Sequence, residues 1–497
     1  MRSRSAITLV LLAALTVAGA TSHALAPGAE AADAAQSRNM EALRVLIAQR
    51  GNVNAAQPDG TTALHWAAHW NDVEAVRLLL GAGANVKVTN RYGASPLSEA
   101  VVAGSPALIE ALLNGGADPK TLSTEEGETV LMTAARAGNL DVVRLLLDRG
   151  AEINAREAYK GQTALMWAAA EGHVPVIKLL MSRGADWTVR SVDRETKVAR
   201  LSAASSVSPI PRGGFTALLF TARNGDLESA RALLDGGADI NYGDVDNTSA
   251  MVVAIMNKQF TFAKALLDRG ADPNVVDAAG RTSIYAIIDI RNEDWSTLPQ
   301  RKTEDQLGSL DLLKALLKRG GNANQALTRP LPGRSGMDSG DTGLGAGTTP
   351  LMRAARSGDA AAMSVLLENG ADPKLTSRDG NNALLIAAGV GYRDKYTRGT
   401  EEEALAAIKV AMAAGLSLQS INQKGETALH GAASRGADLL VQFLVDKGVD
   451  MNAKTRQGGA TALDVAMGKG SFGLPVPHDS TVALLKKLGA VEGGPAR

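Results

Sequence analysis

His65 and His69 stand one helical turn apart, the spacing at which two imidazoles on one face make half of a zinc site. Trp66 follows His65, where a zinc protease of the HExxH type needs glutamate, and the third ligand is missing. Two ligands do not hold a metal. His23, His173, His430 and His478 are scattered along 497 residues, too dispersed for acid–base work. Gly343-Leu344-Gly345-Ala346-Gly347 imitates a phosphate loop but lacks the preceding strand and the closing Gly-Lys-Ser/Thr. It reads as a flexible linker. Asp338 with Asp341, and Asp244 with Asp246, imitate calcium loops without the glutamate at position twelve. Aspartates at turn tips ordinarily bond their own backbone. There is no Gly-x-Ser-x-Gly elbow and no cysteine, which removes thiolate zinc sites, disulfides and thiol nucleophiles. The chain reads as non-enzymatic, with no metal and no cofactor.

The elements that carry these residues are short and repeated. Between Gly127 and Lys160 lie an apolar helix (Val130 to Arg136), a turn at Gly138-Asn139, and a second helix with Leu140, Val143, Leu146 and Leu147. Those four positions share one helical face. Gly150 follows the last of them, where a left-handed cap is least costly for glycine. Two helices this short bury no core alone, so the segment is stable only when stacked on copies of itself. The copies exist. From each start glycine to the cap glycine is 23 residues in Gly60–Gly83, Gly93–Gly116, Gly127–Gly150, Gly161–Gly184, Gly214–Gly237, Gly347–Gly370 and Gly425–Gly448, and in Asn247–Gly270. The next start follows 10 or 11 residues later where nothing is inserted.

With this period the chain resembles the ankyrin-repeat family, whose repeats run as a β-turn and two helices with a Thr-Pro-Leu-His element. Thr62-Ala63-Leu64-His65 and Thr427-Ala428-Leu429-His430 match that element with alanine for proline; Thr349-Pro350-Leu351-Met352 and Ser95-Pro96-Leu97-Ser98 keep the proline. Gly237-Ala238-Asp239-Ile240-Asn241 and Gly270-Ala271-Asp272-Pro273-Asn274 match the family's exit. The resemblance implies an all-α repeat solenoid of about twelve repeats over residues 29–490, with capping ends and a tail at 491–497. It makes His65 and His430 structural, bonding backbone at the turn, and puts His173 at a favoured helix–helix turn position. Insertions interrupt the period near 187–213, 292–308, 325–346, 390–402 and 468–477.

Residues 1–24 read as a signal peptide: Arg2 and Arg4, an apolar run from Ile7 to Ala18, and small residues around Ala20 and Ala24. The run is short for a membrane span. Export to a periplasm or to the exterior is expected, with no stable membrane insertion once the leader is cleaved. Charge is balanced at 52 basic and 52 acidic residues, and loss of Arg2 and Arg4 leaves −2. No global field favours nucleic acid.

Surface remains as the seat of function. The resemblance implies protein binding in general, by a monomer whose partner is not specified. Family geometry places two positions of each first helix, and the tip before each start glycine, on the concave side. Here these are His69, Trp70, Arg136, Glu171, Arg223, Asn224, Arg356 and Ser357, with Tyr92 and Tyr159 at tips and Phe215 just past a start glycine. An exposed Trp beside Tyr and Arg has the composition of an interaction hot spot. Trp66 and Trp167, earlier on the same helices, read as packing. The alternatives are a secreted effector acting on a host protein, and a subunit supporting an enzyme through the insertions, with Trp187 and Trp295 as loop anchors.

Overall fold

The computed structural model describes residues 28–124, 126–192, 213–292, 305–331, 344–392, 399–469 and 477–493. Residues 1–24, Trp295 and part of each long insertion lie outside them. Among the described residues there are twenty-four helices and no strand, only isolated bridges such as Leu122 to Thr129. The chain divides into two compact blocks: Met1–Ala134 with Asp141–Glu152, and Ala135–Leu140 with Ile153–Arg497.

The first block is built on α1 (Glu30–Gln36), α2 (Met40–Ala48), α3 (Ala63–His69), α4 (Val73–Gly81), α5 (Pro96–Ala103) and α6 (Pro106–Asn114). α7 (Val130–Ala137) begins in it, and α8 (Leu140–Asp148) lies almost wholly within it. The second block continues with α9 (Ala164–Glu171), α10 (Val174–Ser182), α11 (Ala217–Asn224), α12 (Leu227–Asp235), α13 (Ala250–Met256) and α14 (Phe260–Asp268). Then come α15 (Ser283–Arg291), α16 (Ser309–Lys318), α17 (Pro350–Arg356), α18 (Ala360–Glu368), α19 (Ala383–Ala388) and α20 (Glu401–Ala413). α21 (Ala428–Arg435), α22 (Asp438–Asp446), α23 (Ala462–Ala466) and α24 (Asp479–Leu488) complete it.

Odd-numbered helices are the first of each pair, and from α9 onward each opens on an extended Thr, Ser or Asn, as α3 and α5 do. Thr163 Oγ1 accepts from the Met166 N–H at 3.4 Å, and Ser95 Oγ from the Ser98 N–H at 3.0 Å. These caps satisfy amides that have no intrahelical partner. First helices are alanine-rich and buried on most of their circumference; α9 hides Ala164, Leu165, Met166, Ala168 and Ala169. Small side chains let neighbouring first helices approach.

In the second helices the buried strip differs from the sequence expectation. α8 buries Val142, Val143 and Leu146, while Leu140 and Leu147 are only partly covered. α4 repeats the pattern with Ala75, Val76 and Leu79, and α10 with Val176, Ile177 and Leu180. A helix packed against both its pair-mate and its neighbours needs a strip at i, i+1 and i+4 rather than a single ridge.

Between repeats the polar backbone is tied by two ladders. Turn tips bond to turn tips: the Arg91 N–H donates to Asp59 O at 2.9 Å in the first block. In the second, Val192 donates to Lys160 O at 2.6 Å and Gln423 to Asp379 O at 3.0 Å. Exit asparagines form the other ladder. Asn54 donates from Nδ2 to Gly83 O at 3.0 Å and accepts from the Asn85 N–H at 2.6 Å. Asn324 does the same with Gly370 O at 2.9 Å and the Asp372 N–H at 2.8 Å. The terminal repeat exposes Lys486 beside buried Leu485, so its outer face is polar.

Candidate interaction surface

The start histidines settle into structure. The Thr62 N–H donates to His65 Nδ1 at 3.1 Å, which leaves the ring proton on Nε2, facing Ala94 O of the next repeat at 3.0 Å. Burial pushes the His65 pKa down, against the opposing backbone bond to Ala94, so the ring is held neutral. His430 repeats this with Thr427 and Ala460. His173 and His478 stand before α10 and α24, their Nε2 atoms 2.8 Å from Arg136 O and 3.1 Å from Ser434 O. Among the described residues no group of three or more His, Asp or Glu could hold a metal. Asp244 accepts the N–H groups of Asp246 and Thr248 at 3.0 and 2.8 Å, the ordinary work of a turn aspartate.

In the first block, three rings gather at the end of α3. Trp66 and Trp70 stack with centroids 6.3 Å apart and planes at 19°. His69 meets both edge-on, at 5.8 and 4.9 Å. Their spacing on one helix brings them together, since residues three and four apart share a face. Trp66 is held by its indole N–H on Gln57 Oε1 at 2.9 Å, and Trp70 by its own on Gln36 O at 3.2 Å. The Arg38 guanidinium lies 5.8 Å from the Trp70 ring centre. Trp70 nevertheless keeps 40% of its surface exposed. Tyr92, at the next tip, is 62% exposed and carries Arg91 over its ring at 5.1 Å.

In the second block, Arg136 lies over Trp167 at 5.0 Å, and Arg223 over Phe220 at 5.0 Å. Phe215 is half-buried, edge-on to Phe220 at 5.7 Å. Glu171, Arg223 and Asn224 are exposed, and Asn224 Nδ2 donates to Ala170 O at 2.8 Å. Tyr159 is exposed at its tip with Lys160 over its ring at 5.8 Å. Trp66 and Trp167 are half-buried rather than enclosed, so both belong to the aromatic surface as well as to the packing.

Arg356 corrects the sequence reading, and Ser357 with it. Both are buried, at 2% and 7% exposure. The Arg356 guanidinium donates to Val390 O at 3.3 Å and Gly391 O at 2.5 Å. The insertion after α19 brings those carbonyls across the position that stands open elsewhere. Arg353 on the same helix is wholly buried, donating to Asp289 Oδ1 at 2.8 Å, Asn292 O at 2.6 Å and Ser357 Oγ at 3.0 Å. Sequence reasoning missed this network. The available signal was an arginine four residues after the start threonine, where other repeats carry Trp66, Trp167 and Phe220. Trp187, the loop anchor in the competing reading, is half-buried edge-on to Tyr242 at 5.4 Å.

Sequence comparison decides the family. A family model described as ankyrin repeats (3 copies) matches residues 32–123, 97–191, 198–277 and 305–396, and another, ankyrin repeats (many copies), matches 413–466. This chain belongs to the ankyrin-repeat family. No curated protein matches it. Among solved structures, the ankyrin array is similar to the human ASB11 ankyrin repeat domain at 26% identity and a TM-score of 0.40, over 49% of this chain and 98% of that one. The ankyrin repeat domain of Bcl-3, a member of the IkappaB family, is 24% identical with a TM-score of 0.40, over 46% and 94%. Ankyrin repeat domains generally mediate protein–protein interaction. Among the described residues no helix of the array is long and apolar enough to cross a membrane.

Proposed function

We propose that this ankyrin array is an exported, non-catalytic scaffold that binds a protein partner through the concave, first-helix side of its repeats. The observation that carries the reading is Trp70, held in place by Trp66, His69 and the Gln36 carbonyl yet 40% exposed. A large ring that is already ordered loses little entropy on binding, which is why such residues act as anchors. Export rests on the order of Arg2, Arg4, the apolar run and the small residues after it.

A pull-down with the mature chain identifies the partner, after which one comparison tests the surface. Trp70→Ala is expected to cost the complex about 2 kcal/mol, whereas a chain lacking residues 192 to 209 binds normally. Loss only in the deletion moves the site onto the insertions. For export, N-terminal sequencing is expected to start between Thr21 and Pro27, and an intact Met1 on cytoplasmic material overturns it.

A further inference from the structure

We propose that the partner reaches the first-helix side of α17 to α21 with an extended segment of the form apolar-Gly-aromatic, and that this chain's own Val390-Gly391-Tyr392 holds the place until it is displaced. The inference rests on the binding role given to this side and adds an internal competitor for it.

Occupancy comes first. The last two places of α11, Arg223 and Asn224, are exposed. The same places in the repeats of α17 and α21 are Arg356 with Ser357 and Ser434 with Arg435. Arg356 and Ser357 are buried and Arg435 is half-buried, and the described ends of the insertion after α19 lie against all three. Arg356 holds the carbonyls of Val390 and Gly391. Arg435 Nη2 donates to Gly399 O at 2.5 Å and to Thr400 O at 3.0 Å. The Arg435 guanidinium also lies over the Tyr392 ring, 4.8 Å from its centre. Gly399 backs onto Ser357, since a Cβ there would fall 2.6 Å from Ser357 O.

The helix that the segment crosses leaves room for it. At the place where α3, α9 and α11 carry Trp66, Trp167 and Phe220, α21 carries Gly431. A Cβ at Gly431 would fall 2.6 Å from Val390 N, 2.9 Å from the Gly389 carbonyl carbon and 3.1 Å from that of Ala388. Glycine inside a helix costs stability. Its place here answers to the main chain that passes over it from α19.

The hold is of a kind that another segment can take over. The arginines bind main-chain carbonyls, which any extended chain offers. Side-chain recognition is confined to Val390, buried at 5% exposure, and the half-buried Tyr392 ring. Gly389, Gly391 and Gly399 give up much conformational freedom when the segment is seated, which opposes the seated state. Few buried side chains on a glycine-rich main chain put this segment at the low-stability end of the array, where displacement costs least. An apolar residue, a glycine and an aromatic ring in that order are what a displacing segment has to match.

The test uses the full mature chain and a fluorescent peptide with the sequence of residues 387–403. A tethered segment acts at an effective concentration in the millimolar range, so the parent chain should bind the peptide poorly. Val390→Ser with Tyr392→Ser in the chain weakens the tethered copy and leaves Arg356, Gly431 and Arg435 in place. This opened chain is expected to bind the peptide saturably, about tenfold tighter than the parent or better. Adding Arg435→Ala should weaken that binding about tenfold. Arg435→Lys should weaken it less, because charge remains and the fork is lost. Should the opened chain melt below the parent, Arg435→Ala alone supplies a second measurement. Hydrogen exchange at the Tyr392 amide, bonded to Gly389 O at 2.8 Å, is then expected to quicken about tenfold while the amides of α17 stay as they were. Equal binding to the parent and opened chains, no binding to the opened chain, indifference to Arg435→Ala, or unaltered exchange at Tyr392 each overturns the proposal. The Trp70→Ala measurement on the captured partner is separate, so failure here leaves the protein-binding reading to its own test.

Discussion

Asp289 and Arg353 form an ion pair at 2.8 Å in which the arginine has no exposed surface and the aspartate side chain keeps 8%. The two belong to neighbouring first helices, α15 and α17, and their register is shared. The residue seven places after one start threonine meets the residue four places after the next. His69 and Glu99 occupy the same register at 3.0 Å in the first block, and Arg136 and Trp167 occupy it in the second. The same diagonal is thus filled by an ionic, a polar and a cation–aromatic pair at three places.

A buried carboxylate is costly to strand. Arg353→Ala removes the partner of Asp289 and is expected to destabilise the second block by about 3–5 kcal/mol. Replacing both members with apolar residues, as in Asp289→Leu with Arg353→Met, should recover most of that loss, because desolvation of the charges disappears with them. Urea denaturation of the three chains decides the point. Equal losses in the single and double variants would show that the pair is not the source.

The start histidines make stability depend on pH. Burial lowers the pKa of His65 and His430 from the usual imidazole value of about 6.5. Above that value both folded and unfolded rings are neutral and the full stability is present. As pH falls below it, the unfolded rings take up protons first, so stability is lost progressively toward the lowered folded values. A double variant, His65→Gln with His430→Gln, should be weaker at pH 7.5 yet lose less between pH 7.5 and pH 5. Parallel melting curves for variant and parent across that range would refute the assignment.

Leu146 is fully buried on α8, so Leu146→Ala is expected to cost about 2–5 kcal/mol through lost burial and a residual cavity. Deleting most of residues 335 to 345, stopping short of buried Leu344, should cost little, because loop-closure entropy changes slowly with length. Thermal unfolding of both variants checks the register of the array, and a reversal of the two effects would show it to be misassigned.

Gly138 occupies a left-handed turn at φ +74°, and a Cβ there would fall 2.5 Å from His173 Nδ1. Gly138→Ala is expected to cost about 1–2 kcal/mol from the backbone alone, with a further cost from the collision. Adding His173→Ser should relieve the collision and leave the backbone share. Measured stabilities of the single and double variants separate the two contributions; no recovery in the double variant would place the whole effect in the backbone.

Much of the array was legible in the sequence because each repeat signals locally. Start threonines, cap glycines and helix-turn glycines are demanded by backbone geometry within a few residues, and their 23-residue spacing survives every insertion placed outside it. The roles of His65 and His430 were legible for the same reason, since Nδ1 bonds within its own turn. Exposure at Trp70, Tyr92 and Tyr159 followed from register alone. Only the tertiary structure decided the fate of Arg356 and Arg353. Register marks Arg356 as open, yet the carbonyls of Val390 and Gly391, supplied by an insertion more than thirty residues away, enclose it. Arg353 is buried because Asp289 and the Asn292 carbonyl arrive from the preceding repeat to neutralise and bond it. A charge can leave water only where partners converge, and convergence from distant segments is not written in any one of them.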